Sequence, residues 1–242
     1  MPGLLITAIP SAWAQEASVP NDIGKVRYEY QRRLSDRLRG FGGSSYQQLL
    51  SGDTPLGSGE KLTLDGGVSY SGTEWMRLEA GVGTDYTWRE GVEDLFEFRL
   101  WQAITIDWPE VRALARWVVH HRFMIEERFQ FSDDDQASLR GRYRLAFAVP
   151  INRYTVEPGA FYLPVAGELY WDIGNNDVEL FTNKATVMAG IGYQINKTWA
   201  AEFRYRWEES RDTVGGDITR NDNMLELRIK TTRRIVDYLK SR

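Results

Sequence analysis

Arginines at every second position are the clearest chemistry-bearing pattern in this chain. Arg140, Arg142 and Arg144 alternate with mostly apolar residues between Leu139 and Val149. A period of two places the three guanidinium groups on one face of a β-strand and the apolar side chains on the other. Such a row can bind an anion, or it can form ion pairs with carboxylates on neighbouring strands.

Other predicted strands carry arginines and carboxylates on the corresponding face. The predicted set is Arg77, Arg99, Arg122, Arg128, Arg140, Arg142, Arg144, Arg204, Arg206 and Arg228, with Glu79, Glu97, Glu126, Glu168, Asp172, Glu202 and Glu226. In a narrow barrel these side chains nearly fill the interior, and Arg–carboxylate pairs satisfy the buried charges. The alternative is an Arg-lined path or pocket for anionic solutes such as acidic sugars, because the arginines outnumber the carboxylates.

Residues for catalysis or metal binding do not form a recognisable pattern. His120 and His121 are the two histidines, and neighbours on a strand point to opposite faces, so they cannot bind one metal ion together. The GxSxG motif is absent, and the chain has no cysteine. The Asp133–Asp135 run predicts a solvated turn rather than a calcium site. We therefore expect no enzyme activity, no catalytic residues, no metal and no cofactor.

The elements that position these side chains are predicted to be long β-strands. Residues 118–149 form a hairpin whose polar turn is 132–136, and similar alternation recurs from Ile23 to Ile229. The segment 35–59 is rich in Gly and Ser and predicts a long loop with a helical turn at Tyr46–Leu50. The pattern gives about ten strands, with 8–12 as the range, in an antiparallel up-and-down transmembrane β-barrel.

The membrane prediction depends on the apolar faces and on composition. Hydrophobic residues make up 42% of the chain and mean hydropathy is −0.45, and the sequence lacks the run of about 18 uncharged apolar residues that a membrane helix needs. Aromatic residues reach 13%, and two predicted belts of Trp fit the two lipid–water interfaces. The belts are Trp75, Trp108, Trp117 and Trp199 at one end, and Trp88, Trp171 and Trp207 at the other. A soluble lipid-binding barrel of lipocalin type is the alternative fold, and it would place the arginines outside.

The N-terminus predicts export. A short apolar run from Leu4 to Ile9 precedes Ala12-Trp13-Ala14, which is a signal-peptidase pattern with cleavage before Gln15. The basic segment that normally opens a signal peptide is missing, so a longer precursor is expected. The expected organisation is a signal peptide at 1–14, a leader at 15–22, the barrel at 23–230 and a basic tail at 231–242.

Three segments resemble a known family. They are Glu97–Gln102, Glu126–Phe129 with Leu139–Leu145, and Ala189–Lys197. Together they are similar to the DUF2490 proteins, small predicted outer-membrane β-barrels of Gram-negative bacteria whose function is undefined. The resemblance covers roughly residues 60–230 and implies a location and a fold; it brings no catalytic residues. Barrels of this class usually end on an aromatic residue, whereas this chain continues through Thr231–Arg242.

The expected function is an outer-membrane barrel of structural or interaction type, with a largely filled lumen closed by Arg/Glu ion pairs. The alternative is a narrow, porin-like channel that prefers anions. The expected partners are membrane lipid, proteins of the envelope and an anionic solute. A net charge of −4 gives no indication of nucleic-acid binding.

Overall fold

The described part of the computed structural model forms eleven β-strands, and in most of them apolar side chains alternate with charged or polar ones. The structure describes residues 21–51, 58–89, 93–108, 118–132, 136–173, 184–211 and 218–233. The predicted signal peptide and most of the predicted tail lie outside these ranges. The strands are β1 (Asn21–Arg33), β2 (Leu38–Ser51), β3 (Ser58–Ser71), β4 (Met76–Arg89), β5 (Leu95–Asp107), β6 (Val118–Phe131), β7 (Gln136–Pro150), β8 (Phe161–Ile173), β9 (Lys184–Gln194), β10 (Trp199–Arg211) and β11 (Ile218–Arg233).

Strand β2 corrects the sequence-based expectation for residues 35–59. The predicted loop and its helical turn at Tyr46–Leu50 are wrong, because Leu38–Ser51 is one continuous strand. It pairs with β1 on one side and with β3 on the other. Glycine and serine have low strand propensity, but pairing along both edges overrides a weak local preference. The barrel prediction is confirmed, with one strand more than the ten expected.

The strands close into a barrel in the order β1-β11-β10-β9-β8-β7-β6-β5-β4-β3-β2. Because the number of described strands is odd, β1 and β11 run in the same direction and pair in parallel, from Asn21↔Asp222 to Arg32↔Arg233. The other neighbouring pairs are antiparallel, so the expectation of a wholly antiparallel barrel is wrong at this one seam. Below, the end where β1 and β11 begin is called the N-terminal end, and the end where they finish is called the C-terminal end.

Alternation divides each strand into an inner and an outer face. On β10, Phe203 has 54% of its surface exposed, whereas the next residue, Arg204, has 2%. The same contrast recurs around the barrel, with exposed Val26, Leu64, Val82, Leu100, Ile125, Leu169, Val187 and Leu225. The arginines therefore face inward, which excludes the lipocalin-type arrangement. Within the described residues, no helix is long and apolar enough to cross a membrane.

Inside the barrel, one row of paired residues crosses four strands and packs two aromatic rings over two glycines. Phe41 is paired with Gly67, Gly67 with Gly81, and Gly81 with Trp101. The rings of Phe41 and Trp101 stack with their centroids 5.7 Å apart. A Cβ atom on Gly81 would lie 2.5 Å from the Trp101 ring, and one on Gly67 would lie 2.8 Å from the Phe41 ring. Glycine is therefore required at both positions.

Candidate functional site: the charged barrel interior

The predicted arginine row of β7 meets carboxylates from the strands on either side. Arg140 lies 2.6 Å from a carboxylate oxygen of Glu126 on β6. Arg142 lies 2.8 Å from Glu168 on β8 and 3.7 Å from Glu126. Arg144 lies 3.2 Å from the other oxygen of Glu168. Carboxylates thus separate the three guanidinium groups, which would otherwise repel one another.

The strands β10 and β11 hold a second group of ion pairs. Arg204 donates to Glu226 at 2.6 Å, and Glu226 is fully buried. Arg206 is 3.9 Å from the second oxygen of the same carboxylate. Arg228 donates to Glu202 at 3.3 Å and also pairs with Glu29 of β1. This last pair joins the two strands that close the barrel.

The remaining predicted charges pair on β4, β5 and β6. Arg99 lies 2.9 Å from Asp85 and 3.5 Å from Glu97, and Glu97 also binds Arg128. Arg122 lies 2.8 Å from Glu79. Arg77 binds Asp107, which also binds His120. Asp172 is paired in register with Arg140.

Several charged residues of the interior were missed by the sequence analysis. They are Lys25, Arg27, Glu29, Lys61, Asp65, Asp85, Asp107, Lys184, Glu208 and Lys230. Alternation could have found most of them, since β1 already had Lys25, Arg27 and Glu29 on one face. Asp107 is the last residue of β5 and is followed by Trp108-Pro109, so its local sequence gives a weak strand signal. Tyr170 was also missed: the guanidinium carbons of Arg140 and Arg142 lie 5.2 Å and 5.0 Å from its ring centroid.

An open cavity of about 820 Å³ remains between these side chains, which is room for tens of water molecules. Its wall reaches from Leu95 near the N-terminal end to Thr232 near the C-terminal end. Among the described residues, its wall contains fifteen lysines and arginines but nine carboxylates. Half of this difference arises because Glu168, Glu202 and Glu226 are buried beside the cations that they bind and do not line the cavity.

The predicted Trp belts correspond to opposite ends of the barrel. Trp75, Trp108 and Trp199 are exposed at the C-terminal end, and Trp88 is exposed at the N-terminal end. Trp171 and Trp207 lie in the N-terminal half of the barrel on the outer faces of β8 and β10, and Trp117 lies outside the described residues. The Trp171 ring covers Gly141, where a Cβ atom would lie 2.1 Å from it. Covering of a strand glycine by a cross-strand aromatic ring helps to set the register.

The two histidines point to opposite sides of the wall, as expected for neighbours on a strand. His120 faces inward and contacts Asp107 through Nδ1. His121 faces outward, with its Nδ1 2.8 Å from the Tyr143 hydroxyl oxygen. Within the described residues, no group of three or more His, Cys, Asp or Glu side chains is placed to hold a metal ion.

The chain matches a protein-family model. The model of a family described as "Protein of unknown function (DUF2490)" matches residues 14–218, which is most of the chain. No curated protein matches the sequence.

Proposed function

Because the chain belongs to the DUF2490 family, whose function is unknown, we propose a role from its own geometry. The protein is an outer-membrane β-barrel of structural or interaction type, and Arg–carboxylate pairs hold its interior together. The observation that carries this proposal is the contrast between the two faces of the wall, exemplified by Phe203 and Arg204. Burial of the apolar outer face in lipid removes it from water, which favours insertion by about 25 cal/mol per Å².

The ion pairs support a permanent framework inside the barrel. Each of the ten predicted arginines has a carboxylate oxygen within 4 Å, and the longest of these contacts is the 3.9 Å between Arg206 and Glu226. An unpaired charge in such an interior costs several kcal/mol, so paired charges keep a polar lumen compatible with a stable wall. Eleven described strands lie between the small barrels that side chains fill and the porins that leave a wide channel.

Fractionation of bacterial envelopes tests the proposed location. We expect the full-length protein in the outer-membrane fraction, resistant to extraction at high pH, with an N-terminus at or near Gln15. Recovery from the cytosol with Met1 intact would contradict both membrane insertion and export.

A second candidate function is a narrow path for anions, and the surplus of cations on the cavity wall favours it. In this case the refolded protein should give a steady, anion-selective conductance in planar bilayers. Arg142→Gln should lower that selectivity while thermal stability is retained. A structural lumen without a continuous path predicts the opposite result: no steady conductance in the unmodified protein, and a loss of stability in the variant.

A further inference from the structure

Two polar side chains interrupt the apolar outer face of β5 and β6. Gln102 and Glu127 are both exposed and point outward, as their alternation with inward Trp101 and Glu126 requires. Gln102 is paired with Ile125, so Glu127 is the next outward residue along β6. Their outward neighbours are apolar and exposed: Leu100, Ile104, Phe123 and Ile125. The two polar groups therefore lie together within the band that would face lipid.

Neither side chain has a hydrogen-bond or ion-pair partner among the described residues. In hydrocarbon, an amide or carboxylate without a partner costs several kcal/mol. Polar residues in membrane segments for this reason usually face protein or water rather than lipid. The carboxylates of the lumen follow this rule, since Glu126, next to Glu127, binds Arg140. This part of the outer face is better suited to another protein than to lipid.

Outward glycines three and four strands away from Glu127, in the same row of paired residues, are a second feature of this face. Gly42 of β2 and Gly66 of β3 are paired, and Val82 separates Gly66 from Leu100 in the same row. A Cβ atom would meet its nearest neighbour at 3.4 Å on Gly42 and at 3.5 Å on Gly66, which is ordinary contact. The barrel itself thus does not require glycine here, in contrast with Gly67 and Gly81. Glycine inside a strand often marks the close approach of another backbone.

We propose that this face, formed by the outward residues of β2 to β6 around Gln102, binds a second copy of the chain. A primary amide both donates and accepts hydrogen bonds, so Gln102 can pair with its own counterpart across a two-fold axis. The second N–H of the Gln102 amide can donate a hydrogen bond to a Glu127 carboxylate. Gly42 and Gly66 leave a shallow area that outward leucines of the other copy can fill. The inference rests on the proposed membrane location, because the cost of the unpaired groups arises in lipid.

The oligomeric state of the full-length protein tests the interface. In a mild detergent, native mass spectrometry should show a dimer. Gln102→Leu combined with Glu127→Leu should weaken dimerisation at least tenfold without loss of the folded barrel. Gly66→Leu should do the same, because the added side chain is tolerated by the wall but blocks close approach.

Gly167→Leu is the matched control. Gly167 is an outward glycine of β8, outside the proposed face and two strands beyond β6. Its nearest Cβ neighbour lies 4.0 Å away. This variant should remain dimeric. Three results would overturn the proposal. They are a monomeric unmodified protein, a dimer that the double variant leaves unchanged, and a complex with a different protein that the double variant disrupts. An unmodified monomer in the outer membrane would reject the interface alone, whereas a soluble, cytosolic chain would reject the membrane location as well.

Discussion

Glu226 is fully buried in the interior, and its two carboxylate oxygens have cations at different distances. Arg204 donates to one oxygen at 2.6 Å, while Arg206 is 3.9 Å from the other. The side chain of Arg204 is itself 3% exposed. Removal of one partner from such a pair leaves a buried charge, and this cost is larger than the net benefit of forming the pair.

Arg204→Met should therefore lower the free energy of unfolding by about 3–5 kcal/mol, measured by urea titration in lipid vesicles. Arg33→Met is the control: Arg33 pairs with Asp36 at 2.7 Å, but the Asp36 side chain is 97% exposed. Loss of an exposed pair costs about 0–1 kcal/mol.

Arg204→Met with Glu226→Leu should recover part of the loss, since the buried carboxylate is then removed together with its main partner. The recovery is incomplete because Arg206 loses its 3.9 Å contact with Glu226. Equal effects of Arg204→Met and Arg33→Met would contradict a buried, paired carboxylate at Glu226.

At the level of the strand, the period of two makes each element two-sided. On β10, Phe203 and Tyr205 are exposed while Glu202 and Arg204 are buried. A one-residue shift in pairing would exchange these sets, so the register of β10 with β9 and β11 is determined by the contrast between the apolar outer face and the charged lumen. Outward Phe203, near the middle of β10, is the position for a test of whether the outer face contacts lipid, as we propose.

Phe203→Arg should destabilise the barrel in bilayers by about 2–4 kcal/mol, because charges near the midplane carry that cost. Ile195→Arg is the control, since Ile195 is 50% exposed in the turn between β9 and β10. Near the interface the same charge costs about 0–1 kcal/mol. The measurement is the same urea titration, and equal effects at the two depths would mean that the outer face does not contact lipid.

At the level of the whole molecule, the barrel closes through a parallel pair. Bacterial outer-membrane barrels of one chain usually have an even number of strands, which makes every pair antiparallel. Here the described strands number eleven. The first and last of them, β1 and β11, therefore pair in parallel, over twelve residue pairs. The Arg228–Glu29 ion pair and the hydrogen bond from Asn21 to Asp222, at 2.8 Å, cross this seam.

A disulfide placed across the seam tests the closure. The chain has no native cysteine, so Tyr28→Cys with Ile229→Cys, which are paired in register, should cross-link on oxidation. Disulfides need Cα atoms about 4.4–6.8 Å apart, and paired strands satisfy this distance. The control is Tyr28→Cys with Leu225→Cys, four residues along β11 and so about 13 Å away. Cross-linking of the control alone, or of neither pair, would contradict the parallel register.

The amino-acid sequence by itself determined the two faces of most strands. Arg140, Arg142 and Arg144 could be assigned to one side because the period of two is a property of neighbouring residues and needs no knowledge of the fold. For the same reason the sequence predicted an all-β barrel with about ten strands, and the structure confirms the fold class.

Only the tertiary structure decided which strands pair and how the barrel closes. The strand β2, with Gly42 and Gly43, lacks a strong local signal and forms because β1 and β3 offer hydrogen-bonding edges on both sides. Ion-pair partners such as Glu168 for Arg142 depend on the register between strands, which a single strand does not encode. The first and last strands of such a barrel pair in parallel when the number of strands is odd. Because β2 gave no clear signal in the sequence, the expected number was ten and the expected closure was antiparallel.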